Sequence, residues 1–500
     1  RSQRLGSYRF IRRDQLMRII GNNPAADNAE ITAIASGTLP DGKPVIVNAN
    51  GTVSVVVETT TSVPESLGGQ TNFNGQSVDW IDSTYDENAN RVVIVYSDAG
   101  NSLSGTAIVG TVSGSTISFG SEVVFNSGST KYCSICYDQN AQKVVVVYQG
   151  AQSYGRVRVG TVSGTSISFG TEAVFASEST NDTRVTYHEA AQKVVIAFLP
   201  VAWNYGRMTV GTVSGTTISF GSFPFFYTTG TAVNTKGAYD PVTEQVILFF
   251  IGNPQSRPTA VAVAVSGTTA SAGTSVIVDS TSSSLYPIDV TYDRAASKVV
   301  VVYYNGRAAV GTVSGTNITF GSYVSYDGTT QVSNNSIVYS SLAEKVIVAY
   351  YWTNGSQFRG YVRSGTISGT SISFSARSLF VNAGPVLLGP CVDTDSGYVL
   401  IPYRSNTQSN FGYANLYRPP YTQLVTNLTT ENFIGFTDGA TADTGRARVQ
   451  IGCSINGAQS SLTAGQQYFV QTDGTLGLTA ADPSVIAGTA ISATEIIVKG

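Results

Sequence analysis

Five hundred residues are about three times a common domain length, so the chain is expected to hold one large β domain with an appendage, or several domains. Only 12% are charged, against roughly 25% in an average soluble domain, and Gly (51), Tyr (27), Ser, Thr and Val dominate, which suits strands and tight turns and excludes a helical bundle. A net charge of −3 offers no basic field for nucleic-acid phosphates, and apolar runs such as 144–148 and 260–265 are far below the ~20 residues of a spanning helix, so neither nucleic acid nor membrane insertion is expected.

Residues 1–30 carry Arg1, Arg4, Arg9, Arg12, Arg13 and Arg18 and one short helical candidate, 14–20. No apolar core marks residues 1–24 as a secretory signal, and the chain opens at Arg1 rather than Met, so a processed or incompletely represented N-terminus is expected. The segment is too polar to hold a core. It reads either as a solvated tail or as an arm that docks on a particle through Arg4, Arg9, Arg12, Arg13 and Arg18. A hairpin follows, 43–48 and 51–58, around Asn48-Ala49-Asn50-Gly51.

From there the chain repeats. A unit of the form Y-D-x-x-A-x-K-V-V-V-V-Y leads at Tyr85, Tyr137, Tyr187, Tyr239, Tyr292, Tyr339 and Val392, at spacings of 52, 50, 52, 53, 47 and 53 residues. A Ser-Gly landmark follows at Gly114, Gly164, Gly215, Gly267, Gly315 and Gly369, one copy fewer. Each unit reads as four strands: one ending at the Tyr-Asp pair, an uninterrupted apolar run buried on both faces, a third such as 156–162, and a fourth such as 165–169 after the Ser-Gly turn. Four strands per ~50 residues is the pattern of a propeller blade. The expected fold is therefore all-β, a seven-bladed β-propeller over 31–418. Its last blade (389–393, 398–403, 411–417) lacks a fourth strand, which the hairpin 43–58 is expected to supply, closing the ring. Pro419-Pro420 marks a linker, 419–424, and 425–500 read as a small C-terminal β domain.

The chemistry available is narrow. His188 is the sole histidine and occupies the turn place held by Asp86, Asp138, Asp240 and Asp293, so His-based hydrolysis and multi-His metal sites lack material. Cys133 and Cys136 lie on a strand, where residues three apart face opposite sides, and read as structural. Asp393-Thr394-Asp395-Ser396-Gly397 lacks the distal Glu of a calcium loop and reads as a turn. No phosphate-cradling or dinucleotide motif is present, and no cofactor or metal is expected. A glycosidase needs only two carboxylates, so a carbohydrate-active enzyme stays open as an alternative.

The loops between second and third strands vary from copy to copy and gather aromatic residues. Trp203, Tyr205, Trp352, Phe358, Arg359, Tyr154 and Tyr304 make this face the candidate ligand site, suited to sugar faces or a protein hot spot. The tandem "VGTVSGTSISFG" units, the opening "GTLPDGKPVIVNANGTVSVV" and the ending "LTAGQQYFVQTDGTLG…IAGTAISATEIIVKG" resemble tailed-bacteriophage virion proteins of the tail fibre or appendage type. The resemblance covers most of residues 35–500. It implies a non-enzymatic, multi-copy (homo-oligomeric) structural component on the virion surface that contacts other virion proteins and attaches to a host-surface glycan or protein; a purely architectural capsid or tail decoration is a further alternative. It carries over no catalytic residue.

Overall fold

Each run of Val, Ile and Phe after a Tyr-Asp pair is the second strand of an antiparallel meander. β-Branched side chains favour extended backbone, and apolar residues on both faces require a neighbour on each side. Arg91–Asp98, Lys143–Gln149 and Lys193–Pro200 accordingly show six or seven consecutive buried residues. The computed structural model describes residues 12–13, 16–17, 29–282, 288–328 and 332–499. Among these the chain is all-β, apart from two three-residue 3-10 turns at Ala99–Asn101 and Ala151–Ser153. It divides into two units, Pro64–Tyr421 and a unit joining Arg1–Val63 with Thr422–Gly500.

The larger unit holds six successive meanders. The first is the end of Thr71–Asp86, then Arg91–Asp98, Ser104–Ser113 and Thr116–Phe119. The sixth is Val332–Ser340, Lys345–Thr353, Phe358–Ser368 and Ser371–Phe374. Cys391–Val392, Val399–Ser405 and Phe411–Arg418 form three strands of a seventh. Alternate residues of one strand feed opposite neighbours. Val93 and Val95 of the first sheet pack with Val144 and Val146 of the second, while Val92 and Ile94 pack with Leu400 and Leu416 of the seventh. Sheets stacked face to face in this way are the blades of a β-propeller.

The Tyr-Asp pair explains itself in this setting. The Asp turns its carboxylate onto the backbone N–H groups of its own turn: Asp86 accepts from Ala89 at 2.9 Å, Asp138 from Ala141 at 2.9 Å and Asp293 from Ala296 at 2.9 Å. The Tyr reaches the turn of the preceding sheet. Tyr137, Tyr187, Tyr239 and Tyr339 each accept there from a backbone N–H, of Asn88, Asn140, Ala190 and Ala295, at 3.2 Å. Tyr85, in the first sheet, donates to Asp395 of the seventh at 2.9 Å.

The fourth strand is longer than its sequence suggested. It breaks at a glycine and resumes, so Thr116–Phe119 and Val123–Ser129 both pair with Ser104–Ser113. The glycine cannot be replaced: a Cβ on Gly120 would lie 1.9 Å from the Thr165 carbonyl oxygen of the next sheet.

The missing fourth strand of the seventh sheet comes from residues 66–77, not from the hairpin 43–58. Leu67 pairs with Tyr417, and Thr71 to Ser77 run beside Phe411–Arg418. The segment is a displaced copy of the repeat, SLGGQTNFN (66–74) matching SFGSEVVFN (118–126). Gly68 has the role of Gly120, with a Cβ position 2.2 Å from the Ser115 carbonyl oxygen.

The hairpin instead belongs to the smaller unit. Pro44–Val47 pairs with Phe433–Thr437 inside a sheet that also holds Glu30–Ile34, Val53–Val55 and Arg446–Gln450. Its two faces explain the choice. Val45 is buried with Ala35, Leu39, Ala447 and Val449, and Ile46 with Phe436, Tyr468 and Val470, whereas an outer blade strand buries one face only. Glu58–Val63 pairs with Tyr421–Thr426, so the expected linker 419–424 is largely strand. A second sheet, from Ile455–Asn456 to Ile496–Val498, completes the unit. In the arginine-rich segment, Arg12–Arg13 and Leu16–Met17 pair as strands rather than starting the helix 14–20. Arg4, Arg9 and Arg18 and the remainder of that helix lie outside the described residues.

Phe73 fills the seventh sheet as Phe125 fills the first, packing 5.2 Å from Tyr96 and 6.1 Å from Phe119. Phe73→Ala should cost about 3–5 kcal/mol in denaturant unfolding of the larger unit, as a buried Phe truncation does, and Phe125→Ala a similar amount. A neutral Phe73→Ala would contradict the role given to residues 66–77.

Candidate ligand-binding face

Antiparallel order puts the start of each first strand on the same side as the second-to-third loops, so the variable loops share a face with one end of the channel-like cavity that the first strands line. The sequence-predicted aromatic residues lie on this side but do not form one site. Trp203, 55% exposed, and Tyr205 come together with Phe225, at ring distances of 6.4 and 6.0 Å. The Arg207 guanidinium lies 5.4 Å over Phe225 and pairs with Glu178 at 3.2 Å. Phe225, Arg207 and Glu178 were not singled out from the sequence. Their signal was a departure from the repeat, since Phe225 stands where other copies have Val124, Val174 or Leu379.

Trp352 is placed three sheets further along the chain and is covered. Arg377 lies 5.5 Å over its ring and 4.3 Å over Tyr361, and pairs with Asp327. Arg359 is the cross-strand partner of Trp352 and donates to Tyr361 Oη at 3.1 Å. Phe358 stacks on Tyr351 with ring centroids 6.4 Å apart. Tyr154 is half-buried in the second sheet and Tyr304 exposed in the fifth. The seven residues are thus spread over four sheets.

Sequence reasoning missed the channel. Three residues before each leading Tyr or Val stand Asp82, Ser134, Arg184, Lys236, Asp289, Ser336 and Gly389, a position the repeat holds constant in place but not in chemistry. Each side chain that can do so reaches the neighbouring inner strand. Asp82 Oδ2 accepts from Ile135 N at 3.1 Å and pairs with Arg184 at 2.6 Å. Ser134 Oγ accepts from Val185 N at 3.2 Å, and Asp289 accepts from Ile337 N at 3.0 Å and from the Ser336 hydroxyl. Among the described residues Lys236 has the carboxylates of Asp289, Asp82 and Asp182 acting on it. Its ammonium is held below its ordinary pKa by burial first and then by Arg184 beside it.

Five residues before the leading position, the inner strands bulge. Trp80, Tyr132, Asp182, Asn234 and Leu387 take left-handed φ of 52–57° there, costly for side chains other than glycine. Together they line a bowl of about 290 Å³ at the loop-side end of the channel, with Trp80 and Tyr132 in ring contact at 4.4 Å.

The other candidate groups are structural. His188 Nδ1 accepts from Ala191 N at 3.1 Å, as the Asp residues do in their turns, and Nε2 donates to the Glu244 carbonyl at 3.0 Å. Both nitrogens are occupied, and burial lowers the pKa. Burial likewise raises Cys133, Cys136 and Cys391, keeping them as thiols. Asp393 closes its own turn by accepting from Asp395 N at 3.1 Å and Ser396 N at 3.2 Å. No cluster with metal-ligand character occurs among the described residues.

No family model matches the chain, and no curated protein does. Solved structures of similar fold include AofleA from Arthrobotrys oligospora (10% identity, 69% of this chain and 95% of that one, TM-score 0.41) and the Cps50 (Swd1) β-propeller domain from Myceliophteria thermophila (8% identity, 71% and 99%, TM-score 0.45).

Burial pushes Asp182 up to about 6, against a backbone hydrogen bond from Thr235 N at 3.1 Å, the charges of Arg184 and Lys236 and a second backbone hydrogen bond from Asn234, which favour the charged form. A carboxyl with a raised folded-state pKa favours folding only while protonated. Its contribution is complete below about pH 4 and is lost as pH rises through 6. Asp182→Asn keeps the acceptor and tolerates left-handed φ, so it should stabilise the chain at pH 7 by roughly 1–3 kcal/mol. It should also flatten the change in melting temperature between pH 4 and 6; an unchanged profile would show that Asp182 ionises freely in the fold.

Proposed function

We propose that Pro64–Tyr421 is a seven-bladed ring closed by residues 66–77, and that the protein is a non-enzymatic component on the surface of a tailed-phage virion. In this reading it attaches to a host-surface glycan through the loop side of the ring. Closure is supported by the core shared between first and seventh sheets, by Tyr85 on Asp395, and by Gly68 in the place of Gly120. Attachment rests on one observation, the exposed Trp203–Tyr205–Phe225 cluster with its Arg207–Glu178 pair. Aromatic faces bind the C–H side of a sugar, and a guanidinium–carboxylate pair at the edge can meet its hydroxyls. The virion assignment comes from the tandem repeat text and the C-terminal pattern. It brings with it multi-copy assembly and contacts with other virion proteins, with the arginine-rich arm as the docking element.

A carbohydrate-active enzyme has one feature in its favour, the raised pKa of Asp182 in the channel wall. Against it, the channel-wall carboxylates Asp82 and Asp289 are engaged, Asp82 with Arg184 and Asp289 with Ser336 and Ile337.

Labelled full-length chain should bind intact host bacteria. Trp203→Ala and Phe225→Ala should each weaken that binding by about tenfold or more, as hot-spot aromatics do, while Trp352→Ala, whose ring is covered, should leave it unchanged. A parent chain that binds no host cells but does bind virions would favour the architectural decoration instead.

A further inference from the structure

The bowl at the loop-side end of the channel has no part in the attachment reading, and the sheets bring unlike groups to it. The first and second sheets contribute Trp80 and Tyr132, half-buried, with ring centroids 4.4 Å apart and planes tilted by 50° into a corner. Trp80 also packs against the core shared by those two sheets, which holds its ring in place. The third, fourth and sixth sheets contribute Asp182, Asn234 and Asn334 at the same repeat position. Asn334 is half-buried, and its amide has no hydrogen-bond partner among the described residues.

Two independent features set the bowl apart from a plain channel mouth. First, left-handed backbone is tolerated by Asp and Asn, as at Asp182 and Asn234, but is costly for bulky side chains such as Trp80 and Tyr132. The bulge itself needs no ring, yet two adjacent sheets place one there. Second, the charges around the bowl are balanced from within. Arg184 pairs with Asp82, Lys236 lies among Asp289, Asp82 and Asp182, and Asp182 lies beside Arg184 and Lys236. A charged ligand would compete with one of these attractions, whereas an uncharged one leaves them all intact.

We infer that the bowl binds one uncharged pyranose, its C–H face against Trp80 and Tyr132 and its hydroxyls on the Asn334 amide and the Asp182 carboxyl group. A corner of two tilted rings meets a puckered, saturated ring on two sides, whereas a planar ligand would lie on one of them. A volume of about 290 Å³ is at the small end for ligand pockets and takes one sugar unit. Asn334 supplies both a donor and an acceptor, and Asp182 further acceptors, the complement of neighbouring hydroxyls.

The experiment titrates methyl α-glucoside, methyl α-mannoside and methyl α-galactoside into the full chain by calorimetry, with tryptophan fluorescence alongside. The 6-carboxylate and 2-amino counterparts of each sugar serve as charged controls. At least one neutral glycoside should bind saturably, about tenfold or more tighter than its charged counterparts, with an affinity that added salt leaves unchanged. Trp80→Leu should weaken it about tenfold and Asn334→Ala about fivefold. Asn334 is half-buried and unbonded, so its variant should melt as the parent does and report on the site even if Trp80→Leu fails to fold. No saturation by the folded parent chain, a charged counterpart bound as tightly, or binding that Asn334→Ala keeps and Trp203→Ala abolishes would each overturn the inference. Trp203→Ala should leave glycoside binding intact, so failure of cell attachment and failure of this site are separate results.

Discussion

One hydrogen-bonded junction, repeated from sheet to sheet, sets the geometry of the larger unit: a tyrosine at the end of each first strand reaching the acidic turn of the sheet before it. The Asp carboxylate organises its own turn, and the neighbouring Tyr hydroxyl accepts from a backbone N–H of that turn, in the first sheet one shared with the Asp. Each bond contributes only about 0.5–1.5 kcal/mol. Its greater effect is on register. Face-to-face packing of Val on Val is non-directional and would tolerate sliding, whereas a hydroxyl 3.2 Å from one backbone nitrogen does not. Tyr85 likewise reaches the turn of the seventh sheet, but there its hydroxyl donates to the Asp395 carboxylate instead of accepting from a backbone N–H.

With the packing set by constant positions, the channel side of the inner strands can vary without unfolding the sheet. Asp82, Ser134, Arg184, Lys236, Asp289 and Ser336 share one backbone place and differ in charge, and most bond to an adjacent inner strand. The bulge two residues earlier lets Trp80 or Asp182 occupy the bowl at the cost of left-handed backbone. That cost, roughly 1–3 kcal/mol per residue, is borne because the valine strands behind are buried on both faces and cannot yield.

Sequence periodicity revealed the four-strand unit, the buried second strand and the turn role of His188, because each is written by a residue type at a fixed spacing. What it hid has physical causes. The outer strand of the seventh sheet stands at residues 66–77, over three hundred residues before its partner at Phe411–Arg418, and Leu67 and Asn72 disguise the repeat. The hairpin 43–58 was legible as a hairpin, but its partner depended on both faces of Val45 and Ile46 being buried, which pattern alone does not assign to a neighbour. Trp203 and Tyr205 were visible as loop aromatics; Phe225 was masked inside the repeat. Trp352 looked equivalent to Trp203 by position, but it lies on a paired strand with the Arg377 guanidinium above its ring and Tyr361 at its edge, whereas Trp203 stands in an exposed turn.

The place where the junction is absent supports this account. At the boundary between sixth and seventh sheets the leading Tyr is replaced by Val392, and the turn Asp of the sixth sheet is replaced by Ser340, whose hydroxyl accepts from Ala343 N at 3.4 Å. The two changes belong together. A buried Asp turn already carries a raised pKa from desolvation, as Asp86, Asp138 and Asp293 do, and removing the tyrosine hydroxyl would leave a backbone N–H of that turn with one acceptor fewer. A serine forms the turn without the charge, and a valine then extends the apolar contact that Val338 and Val392 make with Ile347, Val399 and Ile401. The junction is thus lost as a pair, which is the behaviour expected if the tyrosine and the acidic turn act as one unit.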